Sequence, residues 1–351
     1  MTDQADPRDF VRVENVSRRF QRKSDAIDRM AVRLGLASPP PAVHALDQVD
    51  LTIRQGEVVG LVGESGCGKS TLGRIVAGML APSEGIVSQR GQDIARLKGE
   101  QARRMRLATQ IIFQDPMSSL NPRKRVRDII GEAPVVHGLV RRSEMPRLVA
   151  DLLARVGLDP AMADRYPHQF SGGQRQRIGI ARALAVNPDF LICDESIAAL
   201  DVSIQAQVIN LFMQLRQELN LTILFISHDL SVVRHIADRV VIMYLGRIVE
   251  SAPTDQVFEH PRHPYTQALL EEIPRLDRRR RAFSTIKGEI PSPVNPPGGC
   301  HFHPRCPHAF AACGQSRPPL TLAAPGHRVA CLLNDGLGRP NQINSMGGTD
   351  R

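Results

Sequence analysis

The sequence has no tryptophan and few aromatic residues of any kind, at 4% of its 351 residues. Surfaces that bind single-stranded nucleic acid rely on exposed aromatic rings on which bases stack, so this scarcity argues against an RNA-stacking surface. The net charge of +9 would suit a nucleic acid or the anionic leaflet of a membrane. Each arginine cluster is equally well explained as a solvated face. The clusters lie at residues 123–127, 141–142 and 278–281.

Long apolar runs are absent as well. No stretch of 18 apolar residues occurs, so we do not expect the chain to span a membrane. Its first residues include acidic side chains and no apolar segment, which is unlike a secretory signal. We therefore expect a cytoplasmic protein, in which the six cysteines would not form stable disulfides. With 42% hydrophobic residues, the chain can still bury a substantial core.

The most specific motif is a glycine-rich loop between an apolar run at 58–62 and a helical pattern at 72–80. It matches G-x-x-x-x-G-K-[ST] at all eight positions, in the strand–loop–helix setting that the motif requires. Backbone N–H groups of such a loop surround an anion, Lys69 can reach the β- and γ-phosphates, and Ser70 can ligate Mg²⁺. The loop predicts a nucleoside triphosphate site, with a chance glycine-rich turn as the alternative. Its members are Gly63, Glu64, Ser65, Gly66, Cys67, Gly68, Lys69, Ser70 and Thr71.

Polar residues stand at the ends of three further predicted strands. Asp194 and Glu195 end one apolar run, and Gln114 and His228 each follow another. Ligands of open α/β sheets bind outside the carboxyl ends of the strands, so we expect these four side chains to converge. Because side chains alternate along a strand, Asp194 is predicted to pair with the Mg²⁺ site and Glu195 to polarise an attacking water. An acidic pair that serves only solubility is the alternative.

A second glycine turn, from Ser171 to Gln174, opens a helical pattern. Ser171 is a plausible N-cap, and Gly172 and Gly173 leave backbone N–H groups open at the start of the helix. The turn is therefore either a second phosphate contact or an ordinary helix cap.

The chain is expected to divide into a nucleotide-binding domain and a C-terminal region. Within the first, an alternating strand pattern ends at Phe20, which could stack on an adenine ring or belong to the core. The charged and proline-rich segment 21–43 predicts an inserted loop, and the helical spacing within 115–170 predicts a helical subdomain inserted into an α/β core. The expected bounds are 1–260 for the nucleotide-binding domain, 261–335 for the C-terminal region and 336–351 for a flexible tail.

Four cysteines lie in the C-terminal region, at Cys300, Cys306, Cys313 and Cys331. The prolines between them predict a loop. Four thiols in a short cytosolic loop suggest metal ligation, by zinc or by an iron–sulfur cluster. The spacing fits neither the C-x-x-C zinc pairs nor the common ferredoxin runs and does not choose between them, and four free cysteines are a further alternative.

Taken in order, these motifs resemble those of the ATP-binding cassette (ABC) ATPases, and the resemblance covers nearly the whole chain. The shared elements are the phosphate loop, Gln114, the turn 171–174, Asp194, Glu195, Asp201 and His228. The implied fold is α/β: a RecA-like P-loop NTPase cassette with an antiparallel β subdomain, an inserted helical subdomain and a Cys-containing C-terminal tail. Further segments resemble the dipeptide/oligopeptide importer branch and its second cassette subunit. These segments are 115–123, 166–170, 182–184, 244–246, 263–266 and 290–297.

The resemblance implies a subunit that hydrolyses ATP to energise an importer of di- or oligopeptides. Its cofactors would be ATP and Mg²⁺, and tails of this kind look like [4Fe–4S] ligands within the branch. The implied partners are a sister cassette in a heterodimer, two transmembrane permease subunits and an extracytoplasmic peptide-binding protein. The chain would then sit at the cytoplasmic face of the inner or plasma membrane, held there by the permeases.

The resemblance also assigns roles within the site. Glu195, Gln114 and His228 would be catalytic, and Ser70, Gln114 and Asp194 would hold Mg²⁺. The phosphate loop, Phe20, Asp201 and the turn 171–174 would contact nucleotide, the turn by reaching the γ-phosphate held by the sister cassette.

The chain departs from the family at Ser196, where proline usually follows the catalytic glutamate, and this would loosen the turn after Glu195. Two alternatives to peptide import stay open. A related cargo such as a nickel chelate is possible because cassettes do not contact cargo. The basic clusters motivate a soluble ABC ATPase that acts on nucleic acid.

Overall fold

Strands and helices alternate along the part of the chain that the computed structural model describes, residues 8–21, 41–115, 119–197, 200–272 and 288–334. The strands are β1 (Asp9–Gln21), β2 (Ala42–Arg54), β3 (Val58–Val62), β4 (Glu84–Gln89), β5 (Gln92–Asp93), β6 (Thr109–Ile112), β7 (Phe190–Asp194), β8 (Thr222–Ser227), β9 (Arg239–Tyr244), β10 (Arg247–Pro253), β11 (Thr321–Ala324) and β12 (His327–Val329). The α-helices are α1 (Lys69–Val76), α2 (Gly99–Ala108), α3 (Val126–Val136), α4 (Met145–Arg155), α5 (Gly172–Leu184), α6 (Val202–Leu219), α7 (Leu230–Ile236), α8 (Thr254–Glu259), α9 (Pro264–Glu271) and α10 (Ala311–Gln315).

The larger of two sheets has the strand order β11-β12-β10-β9-β3-β8-β7-β6. Its central strands β9, β3, β8, β7 and β6 are parallel. Every residue of β3, β7 and β8 is buried, as expected for valine-, isoleucine- and leucine-rich strands covered on both faces. In the register of these strands Val62 lies beside Ser227, and Asp194 beside Ile226. Their carboxyl ends therefore meet at one edge of the sheet, where the predicted site residues follow.

The smaller sheet is antiparallel, with the order β2-β1-β4-β5. It packs on the central sheet through a shared core in which the rings of Phe10 and Phe190 meet edge to face at 5.7 Å. Strands β1 and β2 pair as far as Gln21 and Ala42, so the ends of the predicted insertion 21–43 belong to strands. Residues 22–40 of that insertion lie outside the described residues, as does the predicted flexible tail 336–351. The antiparallel sheet confirms that part of the predicted fold.

Helices α3 and α4 follow the parallel strand β6 and pack against one another and against α5. The apolar faces of all three helices join one core with the central sheet, including Ile130 of α3, Leu153 of α4 and Ile178 of α5. This is the segment for which helical spacing predicted a helical subdomain, although residues 116–118 are not among those described. None of the described helices is both long and apolar enough to cross a membrane.

The C-terminal region extends the central sheet instead of forming a separate loop. Strand β12 pairs with β10, where Val329 lies opposite Glu250. Glu250 is fully buried and its carboxylate contacts His327 Nε2 at 2.6 Å. The same carboxylate accepts hydrogen bonds from the backbone N–H groups of Arg262 and His263. One buried side chain thus ties the last strands to the segment before α9, an arrangement that the proline-rich sequence did not predict.

Candidate nucleotide-binding site

The phosphate loop is the turn between β3 and α1. Gly68 directly precedes α1 with φ of 107°, in the left-handed region that favours glycine. A Cβ atom there would lie 2.3 Å from the carbonyl oxygen of Ala45, and one at Gly63 would lie 2.1 Å from that of Met243. The backbone therefore passes too close at both positions for any other residue. The unpaired N–H groups at the start of α1 face this turn and suit an anion.

Lys69 turns its ammonium group back over the loop. Its side chain is 4% exposed, and Nζ donates hydrogen bonds to the carbonyl oxygens of Gly63 at 2.7 Å and Glu64 at 3.0 Å. The nearest carboxylate is that of Glu195, whose Oε1 lies 4.0 Å from Nζ. A buried ammonium held mainly by carbonyl dipoles keeps its charge available for phosphate oxygens that approach the loop.

Ser70 and Asp194 meet where the loop faces the end of β7. The hydroxyl of Ser70 donates a hydrogen bond to Asp194 Oδ1 at 2.7 Å. Burial raises the pKa of the Asp194 carboxyl above its ordinary value of 3.8, and the hydrogen bond from Ser70 acts in the opposite direction. A hydroxyl and a carboxylate oxygen side by side are the hard donors that Mg²⁺ prefers, so these two residues fit the metal that the motif implies.

Glu195 brings the remaining strand-end residues together. Its Oε2 accepts a hydrogen bond from Gln114 Nε2 at 2.9 Å, and its Oε1 lies 3.7 Å from His228 Nδ1. Its backbone has φ of 47°, which is unusual for a residue with a side chain, and its N–H donates to the carbonyl oxygen of Ile226 at the end of β8. Glu195 is thus held at a strained position from both sides, as is common at functional sites.

The four strand-end residues and the phosphate loop therefore form one cluster, as their positions in the sequence led us to expect. The edge of the sheet provides a charged ammonium, a hydroxyl–carboxylate pair and a second carboxylate with an amide and an imidazole beside it. This set can bind a triphosphate with Mg²⁺ and activate a water for attack on its end.

The Ser171–Gln174 turn is an N-cap of α5. Gln174 N–H donates to Ser171 Oγ at 3.3 Å, and Ser171 N–H donates to Gln174 Oε1 at 3.0 Å, which is the reciprocal pattern of a capping box. Ser171 and Gly172 are exposed, and a Cβ on Gly173 would lie 2.5 Å from Ile204 Cγ2. Asp201 is an exposed residue immediately before α6. Capping explains Ser171 and Gln174, and packing explains Gly173, but neither explains Gly172.

Phe20 does not belong to the core. It lies at the end of β1 with 40% of its surface exposed, and the Arg18 guanidinium lies 4.6 Å from its ring centroid. Of the two readings that the sequence left open, exposure supports a ring available for stacking.

The two cysteines near the phosphate loop are buried thiols. Burial raises the pKa of Cys67 to about 11 and raises that of Cys193 further. Thiols with raised pKa are inert, since the thiolate is the nucleophile, so both side chains act as small apolar groups in the core.

The predicted metal cluster at the C-terminal cysteines is wrong. The four side chains do line one small cavity with His263, but within the described part of the chain no group of three or more Cys, His, Asp or Glu side chains is arranged to hold a metal ion. Protonation points the same way, because burial raises the pKa of Cys300 and Cys306, and that of Cys331 to about 11. Metals bind the thiolate, which these surroundings disfavour. The number of cysteines and their spacing could not reveal this.

Two residues of the C-terminal region contact the phosphate loop, and neither was predicted from the sequence. Arg305 forms a two-point ion pair with Glu64, and the hydroxyl of Tyr265 accepts a hydrogen bond from the Glu64 N–H at 3.0 Å. They lie 241 and 201 positions away from Glu64 along the chain. No local motif links residues so far apart in the chain, so only the folded structure brings them together.

The fold and the site define a P-loop ATPase of the ABC class, and comparison with known proteins agrees. The family model described as ABC transporter matches residues 46–198, and the model described as the C-terminal region of oligopeptide/dipeptide transporters matches residues 249–313. Among solved structures, the chain is similar to cbiO1 from Clostridium perfringens (TM-score 0.59, 28% identity, 72% of this chain and 92% of that one). The chain is also similar to a dimeric ATP-binding cassette bound to ADP and Pi (TM-score 0.58, 27% identity, 70% of this chain and 98% of that one).

Curated relatives place the chain more narrowly. The oligopeptide transport ATP-binding protein AppF of Bacillus subtilis is 54% identical over 295 residues, 83% of this chain and 90% of that protein. The dipeptide transport ATP-binding protein DppF of Escherichia coli is 48% identical over 307 residues, 87% and 91% of the two chains. The chain belongs to the family of ABC transporter ATP-binding proteins of oligopeptide and dipeptide transporters, and it is an ATPase. The predicted family and the predicted cassette fold are both confirmed.

Proposed function

We propose that this chain hydrolyses ATP to drive the import of di- or oligopeptides. The observation that carries the proposal is the cluster of Lys69, Ser70, Asp194 and Glu195 at one edge of the sheet, joined by contacts of 2.7 to 4.0 Å. The cargo class rests on relatives that are named for oligopeptide and dipeptide transport.

Each side chain of the cluster then has one task. The phosphate loop and Lys69 bind the β- and γ-phosphates. Ser70 and Asp194 would hold Mg²⁺, which would neutralise negative charge on the phosphates. Glu195 takes the proton of the attacking water, with Gln114 orienting its carboxylate, and His228 contacts the γ-phosphate. Phe20 stacks on the adenine.

The Ser171–Gln174 turn completes the site of a second cassette. Its first two residues are exposed, and its hydrogen bonds are those of a cap, which leave backbone N–H groups of the glycines open at the start of α5. The similar solved cassette with ADP and Pi is a dimer. We propose a head-to-tail pair with a sister cassette, in which Ser171 and Gly173 contact the γ-phosphate bound by the partner. Two permease subunits hold the pair at the cytoplasmic face of the membrane, and a peptide-binding protein delivers the cargo.

The substitution Glu195→Gln tests the hydrolytic role. It keeps the hydrogen-bonding shape while removing the base, so we expect ATP affinity within about twofold and a turnover lower by about 10²- to 10⁴-fold. ATP titration and phosphate release measure the two quantities. Turnover at the normal rate would exclude Glu195 as the base.

Purification of the chain together with two hydrophobic subunits and a second cassette tests the proposed transporter complex. Tight salt-dependent nucleic-acid binding in the absence of these subunits would contradict the proposal.

A further inference from the structure

Arg305 holds the phosphate loop from outside the ATP-binding core. It ends a short helical turn (His303–Arg305) in the C-terminal region. Its Nη1 lies 2.8 Å from Glu64 Oε2 and its Nη2 lies 3.1 Å from Glu64 Oε1, a parallel two-point pair. The Arg305 side chain is 5% exposed and that of Glu64 is 23% exposed. A guanidinium in this geometry fixes both the position and the orientation of a carboxylate, which an ammonium does not.

A second contact fixes the backbone of the same residue. The Glu64 N–H donates to the hydroxyl of Tyr265 at 3.0 Å. Tyr265 is fully buried, and its ring packs against Tyr244 and Phe302 with centroid distances of 4.7 and 5.3 Å. The hydroxyl is therefore held by a buried aromatic cluster, to which the C-terminal region contributes Phe302 as well as Tyr265 itself.

The carbonyl group of Glu64 connects these contacts to the ATP site. The carbonyl oxygen of Glu64 is one of two that accept hydrogen bonds from Lys69 Nζ. Glu64 is thus fixed at its side chain and its N–H by the C-terminal region, and its carbonyl in turn places the ammonium group. A loop held in this shape does not have to be ordered when nucleotide binds, so it binds more tightly than one that samples other shapes.

We propose that Arg305 and Tyr265 are positioning residues for the phosphate loop, so that the C-terminal region sets the affinity for ATP. This rests on the proposed ATP site. Neither residue touches the nucleotide. Both residues contact the loop at Glu64, although Arg305 also lies 3.4 Å from the Tyr244 hydroxyl. Their effect acts on bound substrate and transition state alike.

The test compares Arg305→Gln with the unchanged full-length chain. We expect the dissociation constant and KM for ATP to rise by about five- to tenfold with kcat within about twofold, since uniform binding is what is lost. Arg305→Lys keeps the charge but loses the paired N–H donors of the guanidinium, so its KM for ATP should lie between those of Arg305→Gln and the unchanged chain. Tyr265→Phe removes only the hydroxyl and should raise KM by about two- to fivefold.

Arg317→Gln is the matched control. Arg317 also belongs to the C-terminal region, but its hydrogen bonds go to Asp47 and Gln48 of the antiparallel sheet. It should leave KM unchanged even if it lowers the melting temperature. The double variant of Glu64→Gln and Arg305→Gln should cost no more affinity than the larger of the two single changes, because both remove one interaction.

Two results would overturn the proposal. One is an Arg305→Gln or Tyr265→Phe protein that melts earlier but binds ATP with unchanged affinity, and the other is full additivity in the double variant. Tyr265→Phe and Glu64→Gln decide the matter if Arg305→Gln does not fold. Lys69→Ala tests the ATP site separately: if that protein still bound ATP normally, the proposed function would fail whatever Arg305 did.

Discussion

We expect the buried carboxylate of Asp194, which Mg²⁺ binding needs, to lower the free energy of unfolding of the nucleotide-free protein. The residue is 7% exposed, and burial raises the pKa of its carboxyl. As pH rises above 3.8, the unfolded chain loses this proton before the folded chain does, so stability falls through that window and stays reduced above the folded-state pKa. The substitution Asp194→Asn removes the charge and keeps an oxygen that accepts the hydrogen bond from Ser70.

The stability gained by Asp194→Asn depends on the groups that surround the carboxylate. The hydrogen bond from Ser70 and the nearby charges of Arg74 and Lys69 offset part of the desolvation, and the neighbouring Glu195 adds to the cost. A net gain of about 1 kcal/mol at neutral pH follows, which corresponds to a rise of about 2 °C in melting temperature. Loss of the carboxylate ligand should at the same time lower Mg²⁺-dependent hydrolysis by about 10²-fold or more.

Thermal unfolding of the nucleotide-free protein between pH 4 and pH 8 measures the difference in melting temperature between the two proteins. The difference between Asp194→Asn and the unchanged chain should shrink as the pH falls, because the protonated aspartic acid is neutral like asparagine. The control is Asp151→Asn on the exposed face of α4, which should change stability by less than about 0.5 kcal/mol. An Asp194→Asn protein that melts no higher than the unchanged chain at neutral pH would refute the reasoning.

Two further predictions concern other parts of the molecule. Glu250→Ala leaves His327 and two backbone N–H groups buried without their acceptor, so we expect a loss of about 3 kcal/mol in the free energy of unfolding, measured with denaturant. A loss below about 1 kcal/mol would contradict the view that this carboxylate ties β12 to β10. Phe20→Ala should weaken ATP binding by about tenfold while Phe20→Tyr retains it, and equal affinities in a nucleotide titration would remove Phe20 from the site.

The local parts of the site could be predicted because each depends on a short stretch of chain. Gly63 and Gly68 have close backbone neighbours, and only glycine fits there, so a short pattern identifies the loop. The convergence of Asp194 and His228 follows from one rule about parallel strands and needs no knowledge of which strands are neighbours. The order of the strands, with β3 between β8 and β9, did not follow from any pattern in the sequence.

The parts that could not be predicted depend on long-range contacts or on protonation. Strands β11 and β12 are short, and they join the sheet because β12 pairs with β10 and β11 pairs with β12, so their own sequences carry little signal. Arg305 was one of many arginines until the fold placed it beside Glu64. The C-terminal cysteines were misjudged for a related reason, because spacing does not report whether buried thiols are arranged as ligands or ionised enough to bind metal.

A substitution at Gly172 distinguishes the two interpretations of the Ser171–Gln174 turn, as a helix cap only or as a contact to a partner's phosphate. Its φ lies outside the left-handed region, and a Cβ there would come no closer than 3.8 Å to its nearest neighbour, Leu200 Cδ2. The isolated chain thus has room for alanine, and Gly172→Ala should raise the free energy of unfolding by about 0.4–1 kcal/mol, because alanine loses less backbone entropy in a helix. If the turn only caps α5, ATPase activity should stay unchanged. If a partner's γ-phosphate lies against this backbone, activity of the assembled transporter should fall by about tenfold or more while ATP affinity of the single chain stays the same. A stabilised protein with full activity in the assembled transporter would therefore exclude a partner's γ-phosphate packed against the backbone at Gly172.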